Sequence, residues 1–98
     1  MKIEILDSAK QDLINSYWFY EKQQAGLGNY FLDSINSDID SLLIYAGIHP
    51  IYFDKYYRML TKRFPFAVYY CITDNIIYVY AILDCRRNPD WAKKRLND

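Results

Sequence analysis

Histidine is almost missing from this chain: His49 stands alone among 98 residues. Cysteine is nearly as scarce, with Cys71 and Cys85 far apart and no Cys-x-x-Cys pair, so nothing has the ligand spacing of a zinc site. A thiol nucleophile partnered by histidine is not expected either, because Cys71 falls inside a strand pattern and His49 in a loop. Without a secretion signal the two thiols read as reduced and structural, and no disulfide framework is implied. Long apolar runs are absent too. None approaches the roughly 20 residues a membrane helix needs, and Met1-Lys2-Ile3-Glu4 carries no apolar block of the signal-peptide kind. The expected compartment is the cytoplasm, with no membrane partner. Disorder is excluded by composition, since 52% of the residues are hydrophobic and 18% aromatic, eleven of them tyrosine. The length suits one domain over residues 1–98 with a single core.

A net charge of zero conceals an asymmetry. Residues 1–50 carry three lysines against seven acids, 3 − 7 = −4, and residues 51–98 carry nine basic residues against five acids, 9 − 5 = +4. From Arg86 to Arg95 five basic residues face one acid, Asp90. Such a stretch is either a solvated surface or a face that attracts phosphate or an acidic protein segment.

Hydropathy patterning predicts an α+β domain of order β-α-α-β-β-β, with a helical hairpin on one face of a four-stranded, mostly antiparallel sheet and a short C-terminal helix. Lys2 to Leu6 alternates as a half-buried strand. Ser8 and Gln11 have capping-box spacing, which predicts a helix start there. The stripe Ala9, Leu13, Tyr17, Tyr20, widened by Ile14 and Trp18, predicts burial on more than one side. Gly26-Leu27-Gly28 breaks that helix. A second is expected from about Asn29 to Ala46, with Leu32, Ile35, Ile39, Leu42 and Ala46 inward and Asp33, Asn36, Ser37, Asp38 and Asp40 toward water. Gly47 and Pro50 end it, and His49-Pro50-Ile51 reads as a loop.

Three strands follow. The first runs from about Tyr56 to Arg63, with Tyr57 and Met59 opposite Tyr56, Arg58 and Leu60. Pro65 marks a turn. The next sets Phe66, Val68, Tyr70 and Ile72 against Ala67, Tyr69, Cys71 and Thr73. Asp74-Asn75 is a tight hairpin connection. The last strand, apolar on both sides, sets Ile77, Val79, Ala81 and Leu83 against Ile76, Tyr78, Tyr80 and Ile82, as a strand covered on both faces would. It delivers Arg86 and Arg87 to a rim. The tail from Pro89, with Trp91 and Leu96, is short for shielding the second face, so a protein partner adding a helix or strand is expected.

The order of these elements, with Tyr57-Arg58 opening the meander, Phe64-Pro65-Phe66 at its first turn and Arg86-Arg87-Asn88-Pro89 after its last strand, resembles the RelE/ParE toxins of bacterial type II toxin-antitoxin systems. Asp12-Leu13, Gly28 and the stretch from Trp91 to Arg95 fit the same pattern, so the resemblance covers nearly the whole chain. It implies a first strand parallel to the last, and a cognate antitoxin wrapped over the toxin as a hetero-oligomer. RelE-like members cleave messenger RNA on the ribosome; ParE-like members inhibit DNA gyrase and are not nucleases.

Arg58 and Arg86 match basic positions of the family and would be the catalytic residues of a nuclease. Four departures weigh against one. Leu60 stands where a lysine is common, Ala67 where RelE-like enzymes carry an arginine, and Asp84 where many relatives have histidine; no tyrosine follows Trp91. A carboxyl of ordinary pKa about 3.9 is ionised at neutral pH and repels phosphate unless paired with Arg86 or Arg87. Two missing cations at about 2 to 4 kcal/mol each would cost orders of magnitude in rate. Lys62, Arg63 and Arg87 are available to compensate. The resemblance is therefore read toward a gyrase inhibitor, with the ribosome-dependent nuclease as the alternative and a degenerate toxin as a further one. Arg58, Arg63, Arg86, Arg87 and Trp91 are the candidate target contacts, Arg58 and Arg86 meeting at one rim. No metal or cofactor is expected.

Overall fold

The computed structural model describes residues 1–97. The elements run β1 (Lys2–Ile5), α1 (Asp7–Gln23), α2 (Leu27–Asp40), α3 (Leu42–Tyr45), β2 (Ile51–Tyr52), β3 (Tyr56–Leu60), β4 (Phe66–Thr73), β5 (Ile76–Asp84) and α4 (Pro89–Asn97). The sheet has five strands in the order β1-β5-β4-β3-β2, one more than expected, because Ile51–Tyr52 pairs antiparallel with β3 instead of looping. β1 lies parallel to β5, and the remaining pairs are antiparallel. The Asp74-Asn75 connection takes positive φ at both residues, 51° and 64°, as a two-residue hairpin turn requires.

The α1–α2 hairpin covers one face of the sheet. Phe31, Ile35, Ile39 and Leu42 meet Met59, Phe66, Val68, Tyr70, Ile77, Val79 and Ile82 in the main core. The opposite face holds a smaller cluster, in which Tyr56, Ala67, Tyr69, Ala81 and Leu83 are closed by Leu96 of α4. The expected grouping of β5 holds only as far as Val79. Tyr69 pairs with Ala81 but Tyr70 with Val79, so Tyr80 is the extra residue of a bulge. One inserted residue turns the rest of the strand over: Ile82 joins the helix-side core, and Ala81 and Leu83 move to the other face.

Local corrections have local causes. Ser8 is not an N-cap; α1 begins at Asp7, and the Ser8 hydroxyl donates to the Tyr80 carbonyl. α2 begins at Leu27, and the Glu21 carboxylate accepts the Gly26 and Gly28 amides at 3.1 and 3.0 Å. That places Gly28 inside the helix, where a Cβ would sit 2.7 Å from the Tyr17 ring. The single expected helix to Ala46 divides at Ser41 into α2 and α3. Asp38 is buried rather than solvated, because its carboxylate accepts the Lys62 amide at 3.0 Å and ties α2 to the β3–β4 loop. α1 is buried on one side only: Ile14 and Trp18 are 50% and 54% exposed. β3 stops at Leu60, short of the predicted Arg63.

Candidate functional site

Strand alternation aims Arg58 at the thinly covered face. It pairs across the ladder with Tyr69, whose hydroxyl accepts its Nε–H at 3.1 Å. The Tyr52 ring lies 4.7 Å from the guanidinium carbon, within cation–π range, and an Nη2–H reaches the Cys85 sulfur at 3.3 Å. The β2–β3 turn completes this arrangement. Phe53 and Asp54 adopt φ of 57° and 59°, a region costly for a bulky side chain by about 1 to 3 kcal/mol. In that conformation the Phe53 ring stacks on Tyr69, centroids 6.2 Å apart. Tyr52, Phe53, Tyr69 and Leu83, with Pro89 and Ala92 of α4, wall a cavity of about 150 Å³ that Arg58 and Arg87 also border.

The turn after β5 carries the other cations. Asn88 accepts the Asp90 amide through its side chain at 2.8 Å, so it caps α4 with Pro89 at the first helical position. This sets Trp91 in the first turn, where the Arg87 guanidinium lies 3.8 Å from its ring centre. Arg86 points elsewhere. Its Nε and Nη2 donate to the two oxygens of Asp84 at 3.0 and 2.7 Å, and its backbone amide donates to Oδ1 at 2.9 Å. The Arg86 hydrogen bonds hold the Asp84 carboxyl below the usual carboxylate range, and Asp84 in turn raises Arg86. The Tyr20 hydroxyl lies beside that guanidinium, on the helix side.

Of the five residues singled out from sequence, Arg58 and Arg87 border one cavity, and Trp91 backs Arg87. Arg86 shares their end of the sheet, since the Arg58 fork touches the residue before it, but Asp84 takes the Nε and Nη2 edge of its guanidinium. Arg63 stands apart over the Tyr30 ring of α2 at 5.8 Å, beside a cleft lined by Asp33 and Asp38. The expected basic tail is also partly spent. Arg95 pairs with Asp12 at 2.8 Å, and Asp12 accepts the Ile82 amide at 3.0 Å. Burial outweighs both contacts and raises the Asp12 pKa. Asp12 and Ser8 thereby satisfy the margin of β5 beyond the last residue that β1 pairs, Val79.

The titratable groups of the cavity are Tyr52, Tyr69, Asp84 and Cys85, beside Arg58 and Arg87. Among the described residues, the lining of the Arg58 cavity includes no histidine, lysine or glutamate. Burial raises the Cys85 thiol pKa, and Asp84 is engaged by Arg86. His49 belongs to the helix side, where its Nδ1 meets the Tyr70 hydroxyl that accepts the Gly47 amide. Ala67 is buried opposite Leu83 and Leu60 is 61% exposed, so neither position returns a cation. Among the described residues no cluster of three metal-ligating side chains occurs.

Tyr69 and its partnership with Arg58 follow from the alternation of β3 and β4. Tyr52, Phe53 and Cys85 had no such signal, because Phe53-Asp54 lacks the glycine or asparagine that announces a positive-φ turn.

Neither a protein-family model nor a curated protein sequence matches the chain. Among solved structures it is similar to one described as the chromosomal ParDE TA system from P. aeruginosa. The match has 18% identity, covers 84% of this chain and 92% of that one, and has a TM-score of 0.74. The chain shares that protein's fold. At this identity the likeness carries architecture and nothing about target. No helix among the described residues is long and apolar enough to cross a membrane.

Proposed function

We propose that the protein is the toxin of a type II toxin-antitoxin pair, a ParE-like inhibitor that binds DNA gyrase in the cytoplasm and is neutralised by a cognate antitoxin. The observation that carries the gyrase reading is the Asp84 clamp on Arg86. A phosphate in flight needs free donors and a proton acceptor, and here a carboxylate already holds the Nε and Nη2 edge of Arg86 and matches its charge. Arg58 and Arg87 remain for contact with a target. The antitoxin reading is supported by the likeness to a ParDE structure and by exposed apolar side chains along α1, namely Ile14, Trp18 and Phe19. An amphipathic partner helix has such a stripe as its natural seat.

The test uses purified protein in two reactions. DNA supercoiling by gyrase should be inhibited, and messenger translated on ribosomes should stay intact. Cut messenger with normal supercoiling would sink the gyrase reading and install Arg58 and Arg86 as nuclease residues. A short open reading frame beside the gene, whose product restores growth on co-expression, is the expected antitoxin; absence of any growth arrest would identify a degenerate toxin.

A further inference from the structure

Arg58 is half-buried, and among the described residues no carboxylate lies within ion-pair distance of its guanidinium. Its three hydrogen bonds go to neutral acceptors, the Tyr69 and Tyr52 hydroxyls and the Cys85 thiol, and two of its five N–H groups have no acceptor among them. Of the other ionic groups that border the cavity, Asp84 pairs with Arg86, and Arg87 lies over the Trp91 ring as a second cation. A cation partly removed from water, held flat by a ring beneath it and a hydroxyl at its Nε, is a preorganised fork for a planar anion.

We infer that the cavity beside Arg58 is a receptor for one acidic side chain, aspartate or glutamate, of a protein partner. Size suits this ligand: about 150 Å³ is enough for a carboxylate and its methylene stem and lies below the about 300 Å³ at which sites for larger ligands begin. The walls argue likewise, because Tyr52, Phe53 and Leu83 suit an apolar stem. Asp84 at the border is held by Arg86, which leaves Arg58 and Arg87 as the cations that an incoming carboxylate meets. The inference deepens the protein-binding reading above and rests on it for the source of the carboxylate.

Propionate, a glutamate side chain without its backbone, is the probe, titrated at constant ionic strength while the Arg58 Nε–H and the Tyr52 and Phe53 amides are followed by NMR. Saturable shifts with a Kd on the order of 10 mM are expected, as so small a ligand allows. Ethyl phosphate should bind at least several-fold more weakly, Arg58→Gln should abolish the shifts, and Tyr69→Phe should weaken them several-fold, each variant keeping the wild-type amide spectrum elsewhere. No saturable shift, unchanged shifts in Arg58→Gln, or tighter binding of ethyl phosphate or of a single-stranded hexanucleotide would overturn the inference. Failure of gyrase inhibition leaves these outcomes unaffected, so the two readings fail separately.

Discussion

On the helix side of the sheet Tyr20, Phe31, Phe64 and Phe66 interlock, with ring centroids 4.9 to 5.1 Å apart for the Tyr20–Phe31, Tyr20–Phe64, Phe31–Phe64 and Phe31–Phe66 pairs. The other face is closed by α4 and one hairpin turn. There Tyr56 donates to the Leu96 carbonyl at 2.9 Å, and Phe53 rests on Tyr69 in a strained backbone. One side is filled by helices with a wide apolar stripe; the other leaves a cavity in which a cation keeps unused donors. The main core and the proposed target contacts of Arg58 and Arg87 thus lie on opposite faces of one sheet.

The difference can be broken first where it should be largest. Phe31→Ala empties a fully buried site and should cost about 3 to 5 kcal/mol in denaturant unfolding. Leu96→Ala, at the rim of the thin face, should cost about 2 kcal/mol; equal losses would erase the contrast. Gly28→Ala drives a methyl group into Tyr17 where α1 and α2 meet, and about 1 to 3 kcal/mol should be lost through overpacking. Asp12→Ala strands the Ile82 amide and should cost about 1 to 3 kcal/mol. Because burial raises the Asp12 pKa, the stabilisation tied to its proton is full below the ordinary carboxylate pKa and fades as pH rises through the folded value. Asp12→Asn should remove that slope.

Smaller effects sharpen the picture. Burial lowers the His49 pKa, so its contribution is present above the ordinary imidazole pKa and is lost as pH falls through the folded one. The wild-type melting temperature should therefore drop toward pH 5 more steeply than that of His49→Gln. Arg87→Ala should change stability by no more than about 0.5 kcal/mol, as at most exposed sites, while abolishing growth arrest.

How far these faces could be read in advance depended on how local each signal was. The helical stripe, the Asp74-Asn75 turn and the rim arginines follow from nearest-neighbour patterns. The bulge at Tyr80 does not, because an apolar strand reads the same in either register until its partner is known. Asp38 looked solvated because its partner, the Lys62 amide, is remote in sequence and carries no side-chain signature. Phe53 gave no turn signal for the reason that makes it informative: a phenylalanine at positive φ is held there by its contact with Tyr69, across the sheet.

The division of labour between the faces is tested most directly by growth of cells induced to express Arg58→Gln/Arg87→Gln beside the wild-type protein, at matched level and matched melting temperature. The account predicts that wild type arrests growth and the double variant does not. Arrest that persists in a folded double variant would contradict it.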